Sequence, residues 1–169
     1  MPIQRLNHAV LYVRDVARSV AFYTEALGFR VVMEMPGQAA FLQAAGSTND
    51  HDLGLFAVGD RAGASTAGRS TVGLYHLAWE VDTLAELQRI SGVLTERGAL
   101  VGASDHGSTK ALYAQDPDGI EFEVSWLVPA ALLDPEQTIS TRPLHLEREI
   151  ERYGADTDGG VGVSVPAVR

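Results

Sequence analysis

The sequence predicts an α+β protein made of two βαβββ modules, whose curved mixed sheets enclose a cleft, followed by a C-terminal helix. Three observations carry this reading. The order strand, helix, strand, strand, strand occurs twice, over 5–58 and again over 73–128. Each helical run is stopped by a glycine, Gly28 in the first copy and Gly98 in the second. Each copy also places a histidine near the start of its first strand, His8 and His76. One strongly curved four-stranded sheet cannot cover both its faces alone, so two copies would pair.

The first module opens with "LNHAVLYV" (6–13) as a strand. Asp15 then caps a helix, "VARSVAFYTEAL", with Val16, Val20, Tyr23 and Leu27 at helical spacing. Strand-like runs follow at "FRVVMEM" (29–35), "QAAFLQA" (38–44) and "DLGLFAV" (52–58), with turns at "MPGQ" and "GSTNDH". A Gly/Ser/Ala-rich linker covers 59–72.

The second module begins with "GLYHLAWEV" (73–81). In the helix "DTLAELQRISGVLTER", Leu84, Leu87, Ile90 and Leu94 line one face. The last strands are "ALVGAS" (99–104), "TKALYAQ" (109–115) and "IEFEVSW" (120–126), the final one entered through the "DPDG" turn. Residues 1–130 thus read as one domain and 131–169 as a separate C-terminal part. Within that part, "STRPLHLEREIERYG" (140–154) has cap-like Ser140 and Thr141 and an amphipathic pattern, which predicts a helix. The Gly-rich stretch 154–169 is expected to be a mobile tail.

Composition narrows the function. A chain of 169 residues can bury a real core, and a net charge of −9 argues against nucleic acid or an anionic membrane as partner. There are no cysteines, which excludes disulfides, thiolate metal sites and cysteine nucleophiles. No segment approaches the ~20 apolar residues of a membrane span, so a cytoplasmic location is the expectation.

The chemistry lies in the histidines and one strand. His8 and His76 hold the same place in the two copies, so a pseudo-twofold pairing would turn both imidazoles into one cleft. In "GIEFEVSW", the period of two sets Glu121 and Glu123 on the face opposite Ile120, Phe122 and Val124. An inward carboxylate is costly unless paired or metal-bound, and Glu123 is the deeper of the two. The matching strand of the first copy offers Leu53 and Leu55 where a fourth ligand could sit. Two histidines and one carboxylate leave coordination positions open, the donor set of non-haem Fe(II) oxygenases. His51, between Asp50 and Asp52, is either a solvated turn residue or a proton carrier at the mouth of a site.

Taken together, the paired units, "LNHAVLYVRDVARSVAFYTEALGF", "YHLAWEV" and "DPDGIEFEVSW" resemble the vicinal oxygen chelate superfamily over residues 5 to about 128. That superfamily includes glyoxalase I, bleomycin-resistance proteins, fosfomycin-resistance enzymes and type I extradiol dioxygenases. The resemblance implies His8, His76 and Glu123 as metal ligands. It is greatest to the catalytic domain of the extradiol enzymes, in patterns similar to "HDLGLF" and to "DHGSTKALYAQDPDGIEFE". By that matching His51 is the acid–base histidine, while His106 and Tyr113 donate hydrogen bonds to substrate oxygens.

What the resemblance implies is an enzyme of aromatic catabolism that cleaves a catechol-like diol with O₂. Its cofactor would be Fe(II), with Mn(II) or another divalent metal as the alternative, and its assembly a homodimer. Two further readings stay open: a glyoxalase-like isomerase or fosfomycin-type transferase, and a metal-free protein that binds an aromatic antibiotic. Glyoxalase I normally adds a further carboxylate, where this chain has Leu53 or Leu55.

Overall fold

The computed structural model describes residues 2–3, 5–67, 70–133 and 140–160. The chain forms two compact units, one from 1–65 with 116–119 and the other from 66–115 with 120–169.

In the first unit, β1 (Ala9–Val13), α1 (Val16–Leu27), β2 (Arg30–Met35), β3 (Ala39–Gln43) and β4 (Leu53–Ala57) follow in chain order. The sheet order is β1-β4-β3-β2, with β1 parallel to β4 and the other pairs antiparallel. Helix α1 starts where the Asp15 carboxylate accepts the Arg18 amide, and it ends at Gly28, whose φ of 73° is left-handed. Its buried face is Val16, Ser19, Phe22, Tyr23 and Ala26, lying over Leu42, Leu53 and Leu55. Val20 and Leu27, expected in that face, are only half-buried. Serine and alanine carry no hydrophobic signal, yet they fit where a helix approaches a sheet closely.

The turn Asp116-Pro117-Asp118-Gly119 belongs to this unit. Asp118 accepts the Arg14 amide at 2.8 Å and its guanidinium at 2.9 Å. The Tyr23 hydroxyl donates to Asp116 at 3.2 Å.

The second unit repeats the plan. It contains β5 (Leu77–Glu80), α2 (Leu84–Glu96), β6 (Leu100–Asp105), β7 (Thr109–Gln115) and β8 (Glu121–Leu127). A 3-10 turn, Ala130–Leu132, then β9 (Arg142–Pro143) and α3 (Leu146–Tyr153) complete it. The sheet order is β5-β8-β7-β6-β9, again with the first strand parallel to the last strand of its module. Both second strands slip register near their start, between Val31 and Met33 and between Leu100 and Gly102. The expected α+β class and the two βαβββ repeats are therefore present.

Helix α2 is capped by Thr83, which accepts the Glu86 amide, and it buries the expected face of Leu84, Leu87, Ile90 and Leu94. Burying each of these side chains contributes roughly 1.5–3 kcal/mol.

The C-terminal part differs from expectation in two ways. The helix begins at Leu146 rather than after Ser140 and Thr141, because 142–143 pairs with β6 instead (Ser104↔Pro143, Asp105↔Arg142). Proline ahead of the helix is compatible with this, since an edge strand tolerates a missing amide donor. Residues 154–160 are also tied down, against the mobility suggested by their glycines. The Ala155 carbonyl accepts from Ala85, the Thr157 carbonyl from the Trp126 indole, and the Gly159 amide donates to Asp82. Residues 161–169 lie outside the described chain. Among the described residues, no helix is long and apolar enough to cross a membrane.

Candidate metal and proton-transfer site

In the first unit, parallel pairing brings the heads of β1 and β4 together, with Ala9 opposite Leu53 and the Ala9 amide on the Asp52 carbonyl. That register sets His8 beside His51, with ring centroids 4.5 Å apart. Phe41 meets the His51 ring edge-on at 5.1 Å. The His8 Nδ1 is 2.7 Å from the Asn7 side-chain oxygen, an acceptor, so Nδ1 is the donor of this contact and Nε2 is the nitrogen left for another partner.

His51 is half-buried, and its Nδ1 lies 3.2 Å from the exposed carboxylate of Asp50. The His51 amide, more than any other partner, holds the Asp50 carboxyl below its usual range, with the imidazole adding to that. Asp52 fixes the loop around them. Its carboxylate accepts from the Ala44 amide (2.9 Å), the Ser47 hydroxyl (2.7 Å) and the Asn49 side chain (2.7 Å). The two aspartates thus do different work: Asp50 faces the imidazole and Asp52 ties down the loop.

In the second unit, His76 directly precedes β5 and shares a face with Ala78, whose register partner is Glu123. The His76 Nε2 is 3.2 Å from a Glu123 carboxylate oxygen. Its Nδ1 is buried without a hydrogen-bond partner. Tyr113 stands opposite Glu123 across the β7–β8 pair, with its ring 5.7 Å from that of His76. Its hydroxyl is 2.9 Å from the His106 Nε2. Burial first, then the Glu123 carboxylate beside it, pushes the Tyr113 phenol up to about 12, so it remains a neutral hydrogen-bond donor through the working range. His106 sits in the β6–β7 hairpin, next to Gly107, whose φ of 86° makes the turn.

The sequence candidates thus fall into two sets: His8 with His51, and His76 with Glu123, Tyr113 and His106. Among the described residues, neither unit by itself gathers three His, Cys, Asp or Glu side chains as a ligand group.

The pair in the second unit fits a divalent cation. Ligand bonds of about 2.1 Å at right angles put neighbouring donor atoms about 3 Å apart. The His76 nitrogen and the Glu123 oxygen, at 3.2 Å, have that spacing. Imidazole and carboxylate are also donors suited to Fe(II) or Mn(II).

Register corrects one expectation. Val10 pairs with Gly54, and Ala78 pairs with Glu123. The first module's counterpart of Glu123 is therefore Gly54, not Leu53 or Leu55. Both leucines are fully buried, on the face that Phe122 and Val124 occupy in the second unit. No side chain stands at the place of a further carboxylate.

Asn7, Asp50, Ser140 and Thr141 all contact the site histidines; in the sequence Asp50 is marked only as a neighbour of His51, Ser140 and Thr141 only as helix caps, and Asn7 not at all. Asn7 was open to detection as the neighbour of His8. For Ser140 and Thr141, more than thirty positions from His106, no local pattern existed.

The chain belongs to the glyoxalase/bleomycin resistance protein/dioxygenase superfamily, whose family model matches residues 5–124. It is 32% identical over 120 residues to catechol-2,3-dioxygenase of Bacillus subtilis, covering 70% of this chain but only 40% of that protein. To biphenyl-2,3-diol 1,2-dioxygenase 3 of Rhodococcus globerulus it is 33% identical, over 92% of this chain and 75% of the relative. Lactoylglutathione lyase of Salmonella typhimurium is 30% identical over 71% of the chain and 90% of its own length. A solved glyoxylase/bleomycin resistance protein/dioxygenase domain from Frankia sp. EAN1pec shares the fold, with a TM-score of 0.64 at 22% identity, covering 76% of this chain and 96% of that one.

Proposed function

We propose that the protein is a metal-dependent extradiol-type dioxygenase, which opens a catechol-like ring with O₂ by breaking the carbon–carbon bond beside the diol. The observation that carries this reading is the cluster in the second unit, where His76 and Glu123 meet at ligand spacing beside the hydrogen-bonded Tyr113 and His106. The diol dioxygenases among its relatives support it.

His8, His76 and Glu123 would hold Fe(II), or Mn(II) in its place. Bound there, the metal supplies Lewis acidity that eases loss of a diol proton, and a route for electrons from the diol to O₂. His51 takes the proton of the substrate hydroxyl at Nε2 and later returns it, while Asp50 lies against its Nδ1 and orients the ring. Tyr113 and His106 orient the substrate oxygens and stabilise negative charge as it develops on them. As a homodimer, the chain could pair its two modules internally or with those of a partner copy.

A second reading, a glyoxalase-like isomerase, draws on the similarity to lactoylglutathione lyase. Gly54 weighs against it, because it leaves no carboxylate opposite Glu123 in the repeat.

The test is anaerobic reconstitution with Fe(II), followed by a panel of catechols and then air. The expected result is a yellow ring-opened product from wild type and at least about a hundredfold slower formation with His51→Ala. Bound iron with no turnover of any diol would overturn the dioxygenase reading, and the same samples would then be assayed for isomerase activity on a hemithioacetal.

A further inference from the structure

The second unit holds a buried cation with no part in the chemistry above. The Lys110 side chain, on β7, is 1% exposed. Its ammonium donates a hydrogen bond to Asp105, at the end of β6, and lies 3.0 Å from the Glu149 carboxylate of α3, a charge contact without hydrogen-bond geometry. It also lies 5.6 Å from the centre of the Tyr153 ring. A buried ammonium is stable only with compensation of this kind, so α3 is bound to the sheet through a charge it cannot easily release. Asp105 accepts the Gly107 amide as well, at 2.8 Å, so the anchored cluster adjoins His106 directly.

The same C-terminal segment touches the imidazole. Pairing of β9 with the end of β6 brings the Ser140 carbonyl and the Thr141 hydroxyl each to 3.3 Å from the His106 Nδ1. The hydroxyl can donate or accept, but the carbonyl only accepts, so Nδ1 carries the hydrogen. In the neutral ring Nε2 then holds the lone pair, which can accept from its partner, the Tyr113 hydroxyl. Tyr113 has one proton. It faces two acceptors, the His106 Nε2 and the Glu123 carboxylate beside it.

We propose that the segment 140–153 is a positioning element for His106: β9 and the Lys110–Glu149 ion pair hold it so that the Ser140 carbonyl fixes the His106 tautomer and leaves the Nε2 lone pair facing the Tyr113 hydroxyl. Lys110 and Glu149 are positioning residues in this scheme. The kinetic consequence rests on the function proposed above, whereas the tautomer is a property of the chain itself.

The test reads the imidazole nitrogens of the full-length chain by long-range ¹H–¹⁵N NMR, without metal and with Zn(II) added, using His106→Gln to assign the signal. Wild type should show His106 as the single Nδ1–H tautomer. Glu149→Gln keeps the shape of the side chain but loses its charge, and should give mixed tautomers. Glu147→Gln removes an exposed charge from the same helix and should change nothing. With a catechol, Glu149→Gln should lower kcat about tenfold while KM stays within about twofold. Should Glu149→Gln fold poorly, Thr141→Gly with Pro143→Gly loosens the segment at exposed positions and should scramble the tautomer in the same way. An Nε2–H ring in wild type, or a single Nδ1–H ring in a folded variant whose anchor is broken, would overturn the proposal. If wild type turns over no diol, the function fails while the NMR result still decides this inference.

Discussion

A Tyr113→Phe substitution isolates what one hydroxyl does, because the ring still packs against His76 while the bond to His106 disappears. The expected outcome is a loss of roughly a hundredfold in kcat/KM for a catechol, with the melting temperature nearly unchanged, read by steady-state kinetics and circular dichroism. The His76–Glu123 pair has a different signature. If the pair holds the proposed metal, removing either side chain, by His76→Ala or Glu123→Ala, should cut iron retained after dialysis by at least about tenfold, measured by elemental analysis. At this scale the sequence named the residues but not their neighbours. His51 was recognisable as a histidine in an acidic turn. That its ring lies 4.5 Å from His8 depends on the parallel pairing of β1 with β4, which joins segments more than forty positions apart.

The secondary elements test packing rather than chemistry. Helix α2 buries the four residues its periodicity singled out, so Leu87→Ala should cost about 2–5 kcal/mol in urea denaturation. The segment after α3 makes a sharper test. A Cβ on Gly159 would come inside 3.0 Å of both the Leu127 carbonyl and the Trp126 indole, neither of which can swing away. Gly159→Ala should therefore destabilise the protein by about 1–3 kcal/mol, whereas a mobile tail would accept it without effect. Helix faces were legible because a 3.6-residue period is written into the chain itself. The two-residue strand β9 was not, since an exposed Arg-Pro pair has no strand signature and pairs only because Asp105 and Ser104 are there to receive it.

For the whole molecule, stability should fall at both ends of the pH scale. Burial alone would raise the Asp105 carboxyl, but Lys110 and the Gly107 amide outweigh it and hold the group below its ordinary value. Its contribution is complete above the unfolded value, near about 3.9, and is lost as pH falls through the lower folded value. Asp105→Asn should flatten that acid limb in a denaturation series between about pH 5 and 2. At the other end, burial and then Asp116 raise the Tyr23 phenol well above 10.0. Stability should therefore drop as pH rises past about 10, where only the unfolded chain readily gives up that proton, and Tyr23→Phe should shrink the drop, leaving the smaller part due to Tyr113.

The sequence by itself determined the repeat, the α+β class, the order of elements within each module and the residue types able to bind a metal. All of these follow from periodicity, capping and composition, which act over a few neighbouring residues. Only the tertiary structure decided that Gly54 holds the place matching Glu123, that the C-terminal segment reaches His106, and that Lys110 is buried between two carboxylates. Strand register and the closure of long loops settle those contacts. They are fixed by the packing of distant segments against one another, and no local stretch of sequence records them.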